Sequence, residues 1–314
     1  MKKRVVVALG GNALQRKGEA SAHAQQDVAD ETARRLVPLI LAGYQLVIVH
    51  GNGPQVGNIV LHEEAIDTPD VPTFPLDTCV AMSQGAIGLW LQQGLIDEFS
   101  RRNMPAVAST IVSQIVVDPN DAAFENPTKP IGVFYKTEEE ARAAARGRKF
   151  VFKEDAGRGF RRVVPSPRPK RLVEEYTVRA LIDAGVTVIT GGGGGVPVVE
   201  TSDDGLEGVE AVIDKDFTAA MIADAVDAEA LVILTAVDGA MIDYGKPSAQ
   251  TIREISPSDM QRYIDDGQFA AGSMLPKVQA ALKFVEKPGR RSIIASLDHA
   301  ADALDGAVGT IIQS

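Results

Sequence analysis

Two short loops in this chain combine glycine with asparagine directly after apolar runs. They consist of Gly10, Gly11 and Asn12 and of Gly51, Asn52 and Gly53. Glycines at the end of a strand let backbone N–H groups approach an anion closely, and the amino terminus of a following helix adds a favourable partial charge. Each loop alone is equally consistent with a tight strand-to-helix turn. Two loops of this composition together predict a site for a phosphate or a carboxylate.

Three lysines stand beside prolines or at the start of a helix. Lys129 lies between two prolines, Lys277 directly follows a proline, and Lys215 lies between Asp214 and Asp216. A lysine in the first helical turn opposes the helix dipole, so Lys215 needs an anionic partner. The aspartates or an anionic substrate would supply one, and Asp214 is also a normal helix cap. Because phosphoryl transfer depends on cations at the transferring oxygens, these lysines favour that chemistry.

Other motifs are weaker guides to chemistry. The five glycines at 191–195 follow a predicted strand but lack the lysine and serine of a P-loop, so we expect close approach to a ligand without a P-loop. The four histidines show no metal-ligand spacing, and no Ser/His/Asp arrangement can be inferred. We therefore predict neither a hydrolase nor a metal site made of side chains.

Length, charge and cysteine content narrow the class of protein. The 314 residues suffice for one large α/β domain with an insertion, or for two domains. A single cysteine, Cys79, fits a reducing compartment, and the amino-terminal apolar run is too short for a signal peptide. The net charge of −10 disfavours nucleic-acid binding, and no run is long enough to span a membrane. We expect a cytoplasmic protein that binds neither nucleic acid nor membrane.

The elements that must position these residues alternate between strands and helices. Apolar runs at 5–9, 46–49, 186–189 and 231–234 are typical of strands buried on both faces of a parallel sheet. Helices are predicted at 24–42, 171–184, 214–226 and 277–286. This order indicates a doubly wound α/β sandwich, in which ligands bind beyond the carboxyl ends of the strands.

Two segments stand apart from this alternation. Residues 124–169 are rich in proline and basic side chains, and we interpret them as a small inserted subdomain that closes over a site. Residues 82–85 are expected to open an apolar helix with Ser83 as its cap. The apolar face of that helix is either core or a dimer interface.

Six segments, in order along the chain, resemble the signature segments of carbamate kinases in the amino acid kinase superfamily. They are VVALGGNAL (6–14), HGNGPQVG (50–57), PTKPIG (127–132), EDAGRG (154–159), AVIDKD (211–216) and GSMLPKV (272–278). The resemblance implies reversible phosphoryl transfer between ATP and carbamate, giving ADP and carbamoyl phosphate, run toward ATP synthesis in arginine metabolism. It also implies Mg²⁺ with the nucleotide and a homodimer.

The resemblance further implies a fold and residue roles. The fold is a three-layer αβα sandwich spanning 1–314, with a largely parallel central sheet of about eight strands and a lid at 124–169. Lys129 and Lys215 would neutralise the transferring phosphoryl group, Lys277 would act on the nucleotide side, and Asp216 would orient the lysines. The two glycine–asparagine loops would hold carbamate and phosphate. The nucleotide would be bordered by Asp214, Thr235, Val237, Asp238 and Met274.

The chain departs from related patterns in a few positions. Other amino acid kinases commonly carry a lysine just before the first glycine pair, where this chain has Ala8 and Leu9, and Lys215 would supply the missing charge. Leu89 and Phe160 stand where other aromatic residues are expected, which indicates altered packing. Two alternatives stay open: another small-carboxylate kinase of the same fold, and a non-catalytic regulator that binds nucleotide or carbamoyl phosphate.

Overall fold

The central sheet and its helices follow the predicted alternation. The computed structural model describes residues 3–16, 18–105, 107–145, 147–155 and 157–313, without the side chain of Asn12. The strands are β1 (Lys3–Leu9), β2 (Tyr44–His50), β3 (Ala108–Thr110), β4 (Gln114–Val117), β5 (Lys129–Tyr135), β6 (Val151–Glu154), β7 (Phe160–Val164), β8 (Pro169–Leu172), β9 (Thr187–Ile189), β10 (Val196–Glu200), β11 (Leu206–Gly208), β12 (Ala230–Thr235), β13 (Met241–Ile242), β14 (Gln250–Thr251), β15 (Glu254–Ile255), β16 (Arg291–Ser296) and β17 (Thr310–Gln313). The α-helices are α1 (Ala22–Leu41), α2 (Gly53–Ile66), α3 (Leu76–Arg101), α4 (Glu138–Ala144), α5 (Glu175–Asp183), α6 (Lys215–Ala225), α7 (Pro257–Asp265), α8 (Met274–Val285) and α9 (Ala300–Leu304).

An eight-stranded sheet forms the middle layer. Its order is β15, β17, β16, β12, β1, β2, β9 and β3, and its pairs are parallel except β16 with β17. The apolar residues of β1 from Val5 to Leu9 are fully buried, as a strand covered on both faces requires. Helices α1, α3 and α9 pack on one face, while α5, α6 and α8 pack on the other. The expected three-layer α/β sandwich is confirmed.

The register of the central strands brings the predicted site loops together. Leu9 pairs with His50 on one side and with Leu234 on the other. The N–H of Gly10 donates to the Leu234 carbonyl (3.0 Å), and the N–H of Gly51 donates to the Leu9 carbonyl (3.1 Å). Because parallel strands end at the same edge of a sheet, the two glycine–asparagine loops lie side by side.

Two predicted helices differ in the structure. The helix predicted at 171–184 begins at Glu175, because Arg171 and Leu172 belong to β8 and pair with Val116 and Ile115 of β4. The helix predicted to open at 82–85 begins instead at Leu76, so Ser83 is an internal, buried residue and not a cap. In the described part of the chain, no helix is long and apolar enough to cross a membrane.

The five-glycine loop has a backbone conformation and close contacts that residues with a Cβ could not adopt. Gly191, Gly193, Gly194 and Gly195 have φ values of 64°, 66°, 95° and 87°. A Cβ on Gly192 would lie 2.2 Å from Nε2 of His50, and one on Gly194 would lie 2.3 Å from a backbone carbonyl oxygen. These glycines therefore let the loop pack tightly on β2 and on the chain that leads into α6.

His50, the last residue of β2, is held neutral by its surroundings. Its side chain is buried, and Nδ1 lies 2.8 Å from the Gly51 carbonyl oxygen, to which it donates. Burial lowers the pKa of His50 to about 4, and the nearby Lys215 adds to this effect against the opposing hydrogen bond. Between pH 4 and 6.5 the unfolded chain therefore binds a proton that the folded protein excludes.

Residues 129–164 form a small antiparallel sheet that lies on α2. Its strand order is β5, β7, β6, and it carries α4. Arg162 of β7 reaches Glu64 of α2 at 3.2 Å. Glycines allow the close approach: a Cβ on Gly57 of α2 would lie 2.5 Å from the backbone nitrogen of Gly132 in β5. A separate four-stranded sheet has the order β11, β10, β4 and β8. Pro169, the last residue of the predicted inserted segment, belongs to this sheet and not to the small three-stranded one.

The buried His50 predicts a loss of stability at acid pH. As pH falls from about 6.5 toward 4, uptake of a proton by the unfolded chain lowers the free energy of unfolding by up to about 3 kcal/mol. His50→Asn retains a donor near Nδ1 and should flatten this dependence. Urea denaturation at pH 7, 6 and 5 measures it, with the exposed His62→Asn as the matched control. Equal slopes for the wild type and His50→Asn would contradict the assignment.

The glycine contact between α2 and β5 predicts the effect of one added methyl. Alanine favours a helix over glycine by about 1 kcal/mol, but at Gly57 the backbone of Gly132 must move to admit it. We expect Gly57→Ala to lower the free energy of unfolding by about 1–3 kcal/mol in urea denaturation. Asn58→Ala, the adjacent position, gains helix propensity without this contact and should be neutral or stabilising. A Gly57→Ala variant as stable as Asn58→Ala would show that the contact is not formed in solution.

Candidate active site

A cavity of about 360 Å³ opens at the carboxyl edge of the central sheet. Both glycine–asparagine loops line it, as do the three lysines and two aspartates singled out by sequence. The N–H groups of Gly11 and Gly53, each at the start of a helical turn, donate no hydrogen bond within the described part of the chain. The cavity thus combines free backbone donors with cationic side chains.

Asp216 joins two of the lysines. It lies in the first turn of α6 and is buried, with 3% of its surface exposed. Lys215 donates from Nζ to Oδ1 at 2.5 Å, and Lys277 of α8 donates from Nζ to Oδ2 at 2.9 Å. One carboxylate therefore fixes two ammonium groups that come from different helices.

Asp214 holds the third lysine. Its Oδ1 caps α6 by accepting from the N–H of Asp216 at 2.9 Å, and its Oδ2 accepts from Nζ of Lys129 at 2.7 Å. Lys129 is the first residue of β5, so this ion pair ties the small three-stranded sheet to the edge of the central sheet. Asp214 is therefore both the predicted helix cap and an ion-pair partner.

Burial and charge oppose one another in this cluster. Burial would raise the pKa of Asp214, but Lys129 and Lys215 outweigh it and hold that pKa below its ordinary value. Burial would likewise raise the pKa of Asp216, and Lys215 and Lys277 lower it overall. Burial lowers the pKa of Lys215, partly offset by Asp216. With three ammonium groups against two carboxylates, the cluster keeps a surplus positive charge that suits an anionic ligand.

The glycine–asparagine loop at 51–53 has a support that the sequence did not reveal. Asn52 is buried and donates from Nδ2 to Oγ of Ser83 at 2.8 Å, and Ser83 donates to the Val80 carbonyl at 2.6 Å. Gly51 lies under Lys215, whose Cδ would be 3.4 Å from an added Cβ. The side chain of Asn12 lies outside the described residues. The signal for Ser83 was a polar residue within an apolar helix, which a cap also explained.

The predicted nucleotide residues are only partly gathered at the cavity. Asp214 and Thr235 line it, together with Ala236, Gly272 and Ser273. Val237 and Asp238 lie in the bend after β12, beyond the cavity lining. Met274 is the first residue of α8, and its side chain packs against the core. Of the five glycines, only Gly193 lines the cavity, so most of that loop contacts protein and not the cavity.

The acidic groups of the cavity are already engaged. Asp214 and Asp216 accept hydrogen bonds from lysines, and within the described residues no group of three His, Cys, Asp or Glu side chains could hold a metal ion. A Mg²⁺ ion in this setting fits one held mainly by substrate phosphates and water, which is how Mg²⁺ commonly binds with nucleotides.

Comparison with known proteins agrees with this architecture. Residues 3–296 match the model of the amino acid kinase family. The chain is 49% identical over 312 residues to the carbamate kinase of Pyrococcus furiosus, covering 99% of each chain. It is 49% identical over 314 residues to carbamate kinase 1 of Enterococcus faecium, again covering 99% of each.

A solved structure shows the same fold. Carbamate kinase from Giardia lamblia bound to AMP-PNP superposes with a TM-score of 0.91 and 44% sequence identity, covering 99% of this chain and 98% of that one. These matches span nearly the whole chain and include the strands and loops that build the cavity. This chain therefore belongs to the amino acid kinase family, and within it to the carbamate kinases.

Proposed function

We propose that this protein catalyses reversible phosphoryl transfer between ATP and carbamate, giving ADP and carbamoyl phosphate. The observation that carries the proposal is the cluster of Lys129, Lys215 and Lys277 around Asp214 and Asp216 in one cavity. Phosphoryl transfer requires positive charge around the three oxygens of the moving group, with little covalent help from the protein. The near-full-length likeness to carbamate kinases supports carbamate as the acceptor.

In this mechanism two lysines act on the transferring phosphoryl group and the third acts on the nucleotide side. Lys215, which lies against Gly51, faces the oxygens of the transferring phosphoryl group. Lys129 approaches the same oxygens from the small sheet. Lys277 neutralises charge on the nucleotide side. Asp216 orients Lys215 and Lys277, so that no reorganisation is needed as charge moves.

The glycine–asparagine loops form the acceptor end. The N–H groups of Gly11 and Gly53 suit an anionic carboxylate or phosphate oxygen, and Asn52 lies beside them in the cavity lining. Glycine at 10 and 51 lets these loops pack closely, because a Cβ would lie 3.0 Å from the Leu234 carbonyl oxygen and 3.4 Å from Cδ of Lys215. In the proposed reaction the phosphoryl group moves from an oxygen of the nucleotide to an oxygen of carbamate, or in the reverse direction.

The nucleotide binds on the side of Thr235 and the start of α8, and Mg²⁺ accompanies it. When bound, Mg²⁺ neutralises charge on the phosphate oxygens. Asp214 and Asp216 hold the lysines beside the phosphate oxygens that the ion would neutralise. The residues that border the bound nucleotide in this proposal are Asp214, Thr235, Val237, Asp238 and Met274.

The inserted segment at 124–169 acts as a lid. It delivers Lys129, and its small sheet lies on α2 next to the cavity. The reaction runs toward ATP, because carbamoyl phosphate is a mixed anhydride with a high phosphoryl-transfer potential. We place the enzyme in the cytoplasm, within arginine metabolism.

The first test is formation of ATP from ADP, Mg²⁺ and carbamoyl phosphate, with Lys215→Ala beside the wild type. Loss of a charge that acts in the transition state should lower kcat by about 10²–10³-fold, with a much smaller change in KM. The exposed Lys283→Ala is the matched control and should keep wild-type kinetics. An effect of Lys215→Ala confined to KM would contradict its role. A wild type that binds ADP but makes no ATP would indicate another small-carboxylate kinase or a regulator.

We also propose that the protein is a homodimer that uses the outer face of α3. Met82 and Leu89, one heptad apart, are 41% and 50% exposed. The helix packs against the edge strand β3, where Gly88 meets Thr110, and Val112 beside this strand is also exposed. An exposed apolar stripe next to an edge strand is typical of a surface that another chain covers.

Changing the centre of this stripe tests the dimer. Leu89→Lys places a charge in the apolar contact and should weaken association by about tenfold or more, which sedimentation velocity over a dilution series measures. Leu41→Lys, equally exposed at the end of α1, should leave association unchanged. If both variants associate like the wild type, the interface lies elsewhere.

A further inference from the structure

Ser83 is a buried hydroxyl behind the cavity wall, in the middle of α3. It has no exposed surface, and its Oγ has two partners: the Val80 carbonyl oxygen at 2.6 Å and Nδ2 of Asn52 at 2.8 Å. A serine hydroxyl carries one hydrogen. Because a carbonyl oxygen can only accept, a hydroxyl hydrogen that points to Val80 leaves Ser83 as the acceptor of the hydrogen bond from Asn52.

The hydrogen bond to Ser83 favours one orientation of the Asn52 side-chain amide. The NH₂ group faces Ser83, and an oxygen in its place would receive a hydrogen bond only if the hydroxyl turned away from Val80. The amide also lies against Gly193, where a Cβ would be 2.1 Å from Nδ2, so the loop leaves no space for it to tilt. No donor within the described residues reaches Oδ1 of Asn52, and the residue lines the cavity. Its carbonyl oxygen is therefore a hydrogen-bond acceptor of fixed position at the end of the cavity where carbamate would bind.

Such an acceptor is chemically distinct from its surroundings. The donors that line the same cavity, the N–H of Gly11 and Gly53 and the ammonium of Lys215, suit carboxylate or phosphate oxygens, while Gln55 Oε1 is a second acceptor of the lining without a partner among the described residues. Carbamate and carbamoyl phosphate carry, in addition, an NH₂ group that needs an acceptor. Acetate and acetyl phosphate replace it by a methyl group of similar size, which would leave the Asn52 oxygen unpaired.

We propose that Ser83 is a positioning residue that sets substrate specificity: by holding the Asn52 amide in one orientation, it presents Oδ1 to the amino group of the substrate. The proposal rests on the proposed carbamate kinase function. Without the Ser83 acceptor, the Asn52 amide can rotate by half a turn and present NH₂ to the substrate, which repels an amino group but tolerates a methyl group. Ser83 thus controls the choice between carbamoyl and acetyl substrates without touching either.

The test compares ATP formation from ADP with carbamoyl phosphate and with acetyl phosphate. For each enzyme, the ratio of the two kcat/KM values is measured. Ser83→Ala should lower this ratio by about tenfold, through the carbamoyl phosphate value, because one hydrogen bond to the substrate is lost. Ser83→Thr retains the hydroxyl and should restore most of the ratio. Ser100→Ala, an exposed serine on the same helix, should leave it unchanged.

The outcomes separate this inference from the function on which it rests. A wild type inactive with carbamoyl phosphate refutes the proposed function itself. An active wild type whose Ser83→Ala variant loses both activities equally, with an unchanged ratio, refutes the specificity role and leaves Ser83 as a packing residue. If Ser83→Ala does not fold, as circular dichroism shows, Ser83→Cys replaces it: the thiol is a poorer acceptor, so the ratio should still fall, and an unchanged ratio would overturn the proposal.

Discussion

The cavity depends on a buried carboxylate, Asp216, that holds Lys215 and Lys277 at hydrogen-bonding distance. Two ammonium groups so close together would repel each other strongly in a poorly solvated site. Placing one carboxylate between them makes the arrangement stable, and removing it would leave two buried cations unpaired, which is among the most costly changes in a protein. The charge that a phosphate would meet is therefore set by the fold before any ligand arrives.

The sheet supplies the other constraint, because its register determines which backbone groups meet. Leu9 lies between His50 and Leu234, so the loops that follow these strands must share one edge. Glycine is required where they crowd: a Cβ on Gly10 would lie 3.0 Å from the Leu234 carbonyl oxygen. The five-glycine loop serves the same crowding, since its members at 192 and 194 avoid His50 and the backbone at Ile213. Glycine there reflects packing between protein segments more than contact with a ligand.

Much of this could be predicted from sequence, because the signals were local. The buried run of β1, the loop after it and the lysine between two aspartates each lie within a few residues. The predictions that were wrong concern residues whose structure depends on partners far away in the sequence. Leu172 extends a strand only because β4 lies beside it, and Ser83 has a role only because Asn52, 31 residues away, donates to it. Helical periodicity alone gave no reason to extend α3 back to Leu76, which is buried in a separate cluster.

The two aspartates divide the site into a part held on the central sheet and a part held on the small sheet. Lys215 and Lys277 sit on α6 and α8, helices packed on the central sheet, and Lys215 is only 11% exposed. Lys129 sits on the small sheet, pairs with Asp214 alone, and is 31% exposed. A more exposed ion pair is worth less in free energy, because water compensates both partners when it breaks. Displacement of the small sheet would break the pair of Lys129 and Asp214 and leave the cluster around Asp216 intact.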